Sequence, residues 1–219
     1  MQGSLRGELR ASTRLRHDAI ENTLNIMRSD VTMADYVAYL CSFYGYYRAL
    51  EFRLIAGDSS FCNNVLKLDG RRKVERLAAD ISGLCGAKRL AKIPVCRYSP
   101  PIAKATDVVG CSYVIEGSTL GAMIMYRHLH KCLGVSPDNG ASFVYGYGEY
   151  TAVQWKRFVQ AIETMAFDLR ERKECVEAAI ATFDTMLTWL TPAHDAQEVS
   201  ITQSKLLRER LPKYLIEEK

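Results

Sequence analysis

The sequence lacks the features that mark membrane, secreted and nucleic-acid-binding proteins. Only six prolines occur in 219 residues, and no proline- or glycine-rich linker divides the chain. No apolar run approaches the roughly 20 residues that span a bilayer, because the most apolar stretch, 108–115, is followed at once by Glu116. The formal net charge of +4 is too small for a protein that must neutralise many phosphates. We therefore expect no membrane span and no nucleic-acid partner.

Cysteine pairs are also missing. The seven cysteines occur singly, without a CxxC motif, which argues against a zinc ribbon or a redox dithiol. The first 16 residues carry arginines and no apolar segment of the kind found in secretory signals. These observations predict free, mostly buried thiols and a cytoplasmic protein.

The apolar residues of the chain follow a helical period. Alternation with a period of two is almost absent, whereas a period of about 3.6 residues recurs throughout. This pattern predicts an all-α fold of seven or eight helices in a single domain over 1–191, followed by a polar tail over 192–219. The clearest predicted helices cover 4–27, 33–56, 65–84, 107–132, 150–169 and 173–190, with a loop over 134–148.

The common catalytic and metal-binding motifs are absent, and one histidine pair is the first candidate site. No HExxH, EF-hand, GxxxxGK[ST] or GxGxxG pattern occurs, which disfavours an ordinary zinc or calcium site, an NTPase and a dinucleotide-binding enzyme. His17 precedes Glu21 by one helical turn, so the carboxylate lies on the same face as the imidazole. Such a pair can fix the tautomer of a metal-binding histidine, although at this spacing it is more often only a surface pair.

Two glycines interrupt the helix predicted over 107–132. Gly117 and Gly121 are four residues apart and share one helix face, and each costs the helix about 1 kcal/mol relative to alanine. Their missing side chains leave room for a large flat ligand, or equally for a closely packed second helix. Arg10, Lys156 and Arg157 could add a cationic rim for a dianionic ligand, although such charges are ordinarily solvated.

Several short motifs occur in a fixed order along the chain. They are LRxxTxxxHxxxE over 9–21, YVIEGSTLG over 113–121, YGYG over 145–148, WKRF over 155–158, ATF over 181–183 and WL over 189–190. Their order and spacing resemble the haem oxygenases, and the later motifs are similar to those of the bacterial branch, possibly its bacteriophytochrome-associated type. The resemblance implies an all-α fold that holds haem between the first helix and a glycine-containing distal helix.

The resemblance also implies roles on the proximal side of the haem. His17 is the implied axial ligand of the iron, and Glu21 is its partner in the next turn. Arg10 matches a basic residue seven positions before the ligand, and Lys156 and Arg157 match basic residues of a late helix. These three residues are the implied contacts of the haem propionates.

On the distal side, the resemblance implies that glycines of the distal helix lie over the face of the haem. Gly117 and Gly121 leave room for dioxygen, and Tyr113 at the start of the same motif is a further implied haem contact. Ser118 stands where mammalian members have an aspartate that organises distal water. A hydroxyl can donate a hydrogen bond there, but a carboxylate-driven proton relay does not transfer to it.

The implied reaction is oxidative opening of haem to biliverdin, carbon monoxide and ferrous iron. Haem is then both substrate and cofactor, O2 is the oxidant, and electrons come from an external donor such as a ferredoxin or a flavin reductase. The physiological role, iron recovery or biliverdin supply, stays open. So do two other functions: a non-catalytic haem carrier or sensor on the same fold, and a thiaminase-like relative, for which no acidic and cysteine cluster is visible.

Overall fold

The structure is a computed structural model that describes residues 3–56 and 64–191. Over these ranges the chain forms helices and no strand, apart from two isolated bridges that join Ser136 to Asn139 and to Gly140. The predicted all-α, single-domain fold is confirmed. The predicted tail over 192–219, together with His194 and Cys62, lies outside the described residues.

Six helices of 12 or more residues form the described fold. They are α1 (Leu5–Leu24), α2 (Met33–Ala56), α3 (Val74–Cys85), α4 (Ala105–Leu133), α5 (Thr151–Thr164) and α6 (Leu169–Leu190). Shorter helical pieces include Leu68–Arg71, Ala87–Lys92, Ser142–Tyr145 and Gly148–Tyr150, the last two within or beside the predicted loop.

The first two helices begin at local capping signals. The Ser4 hydroxyl accepts the N–H of Gly7 at the start of α1. Before α2, Thr32 and Asp35 each accept the main-chain N–H of the other, with N to O distances of 3.2 and 2.8 Å. Because these two residues are only three positions apart, the sequence predicted α2 with its observed bounds.

The helix predicted over 65–84 starts later than expected. The chain forms a 3-10 turn over Leu68–Arg71, and α3 begins only at Val74. The N–H groups of Lys73 and Val74 donate to the carboxylate of Glu51 on α2, which therefore caps α3 from 22 residues away. The predicted start of this helix is therefore wrong, because a cap supplied by another helix leaves no signal in the neighbouring sequence.

The boundary between the last two helices is also displaced from its predicted place. α5 ends at Thr164 and α6 begins at Leu169. Asp168 accepts the N–H of Glu171 at 2.8 Å, and the Glu171 carboxylate accepts the N–H of Asp168 at 2.9 Å. This capping box is a local signal that the helical period alone did not resolve.

The last helix holds α1 and α4 together. α6 packs along both of them. Gly110 permits the close approach of α4 and α6, because a Cβ added there would lie 2.7 Å from the Cβ of Ala178 and 2.8 Å from the nitrogen of Ala179. An ion pair between Arg16 and Asp184, with an N to O distance of 2.7 Å, joins α1 to α6. These contacts set the distance between the first helix and the glycine-containing helix.

The helix α4 is both long and apolar. By length and composition alone it would be able to cross a membrane, but half of its most apolar window is buried inside the protein. Its residues from Val108 to Glu116 are all buried. An apolar helix that other helices cover is typical of a protein core, so its hydropathy is accounted for by its central position.

Candidate functional site

A cavity of about 1170 Å³ opens beside α1 and α4. This volume exceeds the roughly 300–1,000 Å³ of pockets that enclose drug-sized ligands, so the cavity accommodates a large ligand. Seven of the predicted site residues line it together: Arg10, His17, Glu21, Tyr113, Gly117, Ser118 and Gly121. The tertiary fold thus brings both halves of the predicted site to one place.

The walls of the cavity are rich in aromatic side chains. The lining includes Tyr39, Phe43, Tyr47, Tyr113, Phe143, Trp155 and Phe183. The ring of Trp155 packs beside that of Tyr113 at 5.7 Å between centroids. Such walls favour a flat apolar ligand and keep water away from it. Most of these rings were not predicted as site residues, because an aromatic residue at helical spacing is more often part of the hydrophobic core.

His17 is available for binding at the cavity, with 51% of its side chain exposed. Its Nδ1 lies 3.7 Å from Oε2 of Glu21 and 3.8 Å from Oδ1 of Asp18. The ring of Phe183 contacts the imidazole edge-on, with 6.3 Å between centroids. Carboxylates near Nδ1 favour the tautomer that is protonated there, which leaves the Nε2 lone pair for a metal.

The ligand atoms of His17, Asp18 and Glu21 lie within 4.8 Å of one another. This spacing also suits a bare metal ion. All three residues are exposed, and exposed acidic groups on a helix are common without a metal. The cluster alone therefore does not distinguish an iron bound within a macrocycle from a free ion.

Gly117 and Gly121 open onto the cavity rather than onto another helix. A Cβ added at Gly121 would have no neighbour within 4 Å, and one at Gly117 would come no closer than 3.8 Å to the ring of Trp155. Gly110 on the same helix packs closely against α6, which leaves no space for a Cβ. Close helix–helix packing thus explains Gly110, whereas Gly117 and Gly121 leave free space along α4.

Arg6 and Arg10 place two guanidinium groups at the cavity. Burial raises the pKa of the Tyr113 phenol, and the positive charges of these two arginines partly oppose that shift. The three side chains therefore form one cationic, hydrogen-bonding group suited to a carboxylate. Arg6 was not among the predicted site residues, although it lies one turn before Arg10 on the same face of α1.

Lys156 and Arg157 do not line this cavity. Both are exposed on α5, whereas their neighbour Trp155 is part of the lining. Successive helical residues point about 100° apart, so the two residues after Trp155 face the solvent.

A buried charged cluster that the sequence did not predict lies beside Gly117. Glu116 is 2% exposed and accepts hydrogen bonds from Nζ of Lys73 at 3.0 Å and from the Tyr147 hydroxyl at 3.1 Å. Arg71 forms an ion pair with the same carboxylate. The partners lie 31 to 45 residues from Glu116, so no local motif marks the cluster.

Comparisons with known proteins agree with this geometry. The family model described as "Heme oxygenase" matches residues 4–191. A search of curated protein sequences gave no match.

Three solved structures are similar to the chain. The NO- and CO-bound heme oxygenase from Neisseria meningitidis has 18% identity and a TM-score of 0.74, over 88% of this chain and 95% of that one. The heme oxygenase from Leptospira interrogans has 16% identity and a TM-score of 0.68, over 86% and 99%. Heme oxygenase-1 from the cyanobacterium Synechocystis, in complex with heme, has 15% identity and a TM-score of 0.68, over 94% and 97%.

At these identities the structural likeness concerns the fold, while the family model covers most of the sequence. The match begins just before α1 and ends just after α6, so it includes every residue that lines the cavity. The chain therefore belongs to the haem oxygenase family, whose members are oxidoreductases that degrade haem.

Proposed function

We propose that this haem oxygenase binds haem in the cavity, with His17 as the axial ligand of the iron. The observation that carries the proposal is that His17 on α1 and the two open glycines of α4 line the same cavity. A flat macrocycle can lie against α4 where Gly117 and Gly121 have no side chains. A bare ion at His17 needs neither these glycines nor a cavity of about 1170 Å³.

The remaining lining residues suit the other parts of a haem. Glu21, near Nδ1 of His17, holds the imidazole in the tautomer whose Nε2 can bind iron. Arg6, Arg10 and Tyr113 receive the propionates through charge-assisted hydrogen bonds and so set the rotation of the ring. The aromatic walls supply apolar contact and exclude water.

Bound haem supplies the iron at which dioxygen is activated, and it is itself the substrate that is opened to biliverdin, carbon monoxide and ferrous iron. The chain orients this substrate and leaves space for O2 along α4. Electrons come from an external donor, a ferredoxin or a flavin reductase. No disulfide joins two cysteines among the described residues, which supports a reducing, cytoplasmic location.

The test is to add haem and a reductant to the purified protein in air and record the absorption spectrum. We expect the Soret band to give way to the spectrum of biliverdin. His17→Ala should change the ferric and ferrous-CO spectra, and added imidazole should restore the ligation. His128→Ala is the matched control, because Nε2 of His128 is hydrogen-bonded to the main-chain oxygen of Arg28 and the residue does not line the cavity.

Three results would contradict the proposal. Spectra of His17→Ala identical to those of the wild type would exclude it as the ligand. A wild-type Soret band that persists, with no biliverdin formed, would indicate a haem carrier or sensor. Binding of a bare divalent ion that is lost in Glu21→Ala, together with no haem binding, would assign the site to a free metal.

A further inference from the structure

A single helical turn, Ser142–Tyr145, carries part of the aromatic wall of the cavity. Phe143 in this wall turn lines the cavity. Its ring packs against three other rings of the lining, with 5.9 to 6.4 Å between centroids: those of Tyr39, Phe43 and Tyr47. One turn of helix is not stable by itself, so the place of Phe143 depends on the groups that hold the wall turn.

The N-terminal end of the wall turn is held by Asp80, a carboxylate on α3. Its Oδ1 accepts the N–H of Ser142 at 2.9 Å and the hydroxyl of the same residue at 2.7 Å. Its Oδ2 accepts the N–H of Phe143 at 2.8 Å. Asp80 is only 3% exposed, so bulk water does not replace these bonds. The carboxylate therefore fixes the main chain of the residue whose ring lines the cavity.

The C-terminal end of the wall turn is held by Arg76, which precedes Asp80 by one turn of α3. Its guanidinium donates to the main-chain oxygen of Gly146, and it also packs on the ring of Tyr147, with 5.5 Å from the guanidinium carbon to the centroid. A negative charge at the start of a helix and a positive charge at its end both complement the helix dipole. Two side chains of one helix thus hold both ends of the wall turn.

Stability alone does not explain a buried charge at Asp80. Burial raises the pKa of its carboxyl, and the hydrogen bonds from Phe143 and Ser142 and the charge of Arg76 offset only part of that effect. The surroundings therefore disfavour the ionised form relative to water, and a buried charge pair is weak evidence for a stabilising role. What the carboxylate does provide is a set of directed bonds that fix the wall turn in one place.

We propose that Asp80 and Arg76 are positioning residues that fix Phe143 in the aromatic wall of the cavity. Neither of the two lines the cavity, so they act on a bound ligand only through the wall turn. A wall that is fixed before binding does not have to be ordered by the ligand, and this raises the affinity for a rigid, flat molecule. That this molecule is haem rests on the proposed function, whereas the position of the wall does not.

Amide hydrogen exchange of the haem-free protein tests how the wall turn is held. In Asp80→Asn the new side-chain amide presents a donor to one of the two main-chain N–H groups that the carboxylate accepts. We expect the amides of Ser142 and Phe143 to exchange about tenfold faster than in the wild type. Asp168→Asn is the matched control, because Asp168 caps α6 outside the cavity lining and should leave the wall turn unchanged. Wild-type exchange in a folded Asp80→Asn would overturn the proposal.

A second pair of variants covers the case in which Asp80→Asn does not fold. Arg76→Met keeps an apolar side chain against Tyr147 but removes the bond to Gly146, so the amide of Gly146 should exchange faster than in the wild type. Arg89→Met is the control, because Arg89 is exposed on the protein surface and does not line the cavity. The same exchange rate at Gly146 in both variants would refute the role of α3 in holding the wall turn.

A double-mutant cycle on haem affinity tests whether Asp80 acts through Phe143. Asp80→Asn should weaken haem binding about tenfold if the wall is then in place in about a tenth of the molecules. In a Phe143→Ala background the same change should have little further effect. An equal loss in both backgrounds would overturn the proposal. A wild-type protein that binds no haem would refute the proposed function alone, because exchange at Phe143 still decides whether Asp80 holds the wall.

Discussion

Gly110 and Gly121 lie on the same helix, α4, but we expect opposite effects when each is replaced by alanine. A Cβ at Gly110 would lie 2.7 Å from the Cβ of Ala178 and nearer still to the main-chain oxygen of Cys175. The helices α4 and α6 would have to separate, and overpacking of this kind costs roughly 1–3 kcal/mol. The gain of about 1 kcal/mol in helix propensity offsets only part of that cost.

At Gly121 the added Cβ would have no neighbour within 4 Å. Only the gain in helix propensity remains, so Gly121→Ala should raise the free energy of unfolding by about 1 kcal/mol. The gain in helix propensity is common to both variants, so urea denaturation of the haem-free protein should separate Gly110→Ala and Gly121→Ala by the overpacking cost, about 1–3 kcal/mol. Equal destabilisation by both changes would show that Gly121 packs against another helix and does not face the cavity.

The larger substitution tests what the open space at Gly121 is for. A leucine there would occupy the cavity along α4, so Gly121→Leu should remain folded and no longer convert haem to biliverdin. Gly83→Leu on α3 is the matched control, because position 83 is equally open but does not line the cavity. A stable, haem-loaded Gly121→Leu with wild-type turnover would refute the placement of haem against α4.

Three further predictions concern orientation, ligation and acid stability. Arg6→Ala and Arg10→Ala should change the ratio of biliverdin isomers, measured by chromatography, more than they change haem affinity; an unchanged ratio would assign the propionates to other residues. Glu21→Gln should lower the iron–histidine stretching frequency in resonance Raman spectra. An unchanged frequency would show that Glu21 does not influence the histidine ligand. A hydrogen bond from Lys104 holds the pKa of Glu174 below its ordinary 4.5. The hydrogen bond therefore stabilises the folded protein fully above the ordinary pKa of Glu174, and this stabilisation is lost as the pH falls through the lowered pKa. Glu174→Gln should unfold at lower urea than the wild type at neutral pH, and this difference should vanish in acid.

Features that depend on residues close together in the chain could be predicted before the fold was known. The bounds of α2 follow from the reciprocal bonds of Thr32 and Asp35, which are three residues apart. The pairing of His17 with Glu21 follows from the pitch of a helix in the same way. The order of such local motifs was sufficient to indicate the family, because each motif keeps its own spacing whatever surrounds it.

What each helix faces depends instead on how the helices pack. Two glycines of α4 have the same local preference, yet Gly110 packs against α6 and Gly121 faces a cavity. The cap of α3 by Glu51 and the ion pair of Lys73 with Glu116 join residues that are 22 and 43 positions apart. Local periodicity contains no information on which distant side chains meet, because those contacts exist only after the helices have packed.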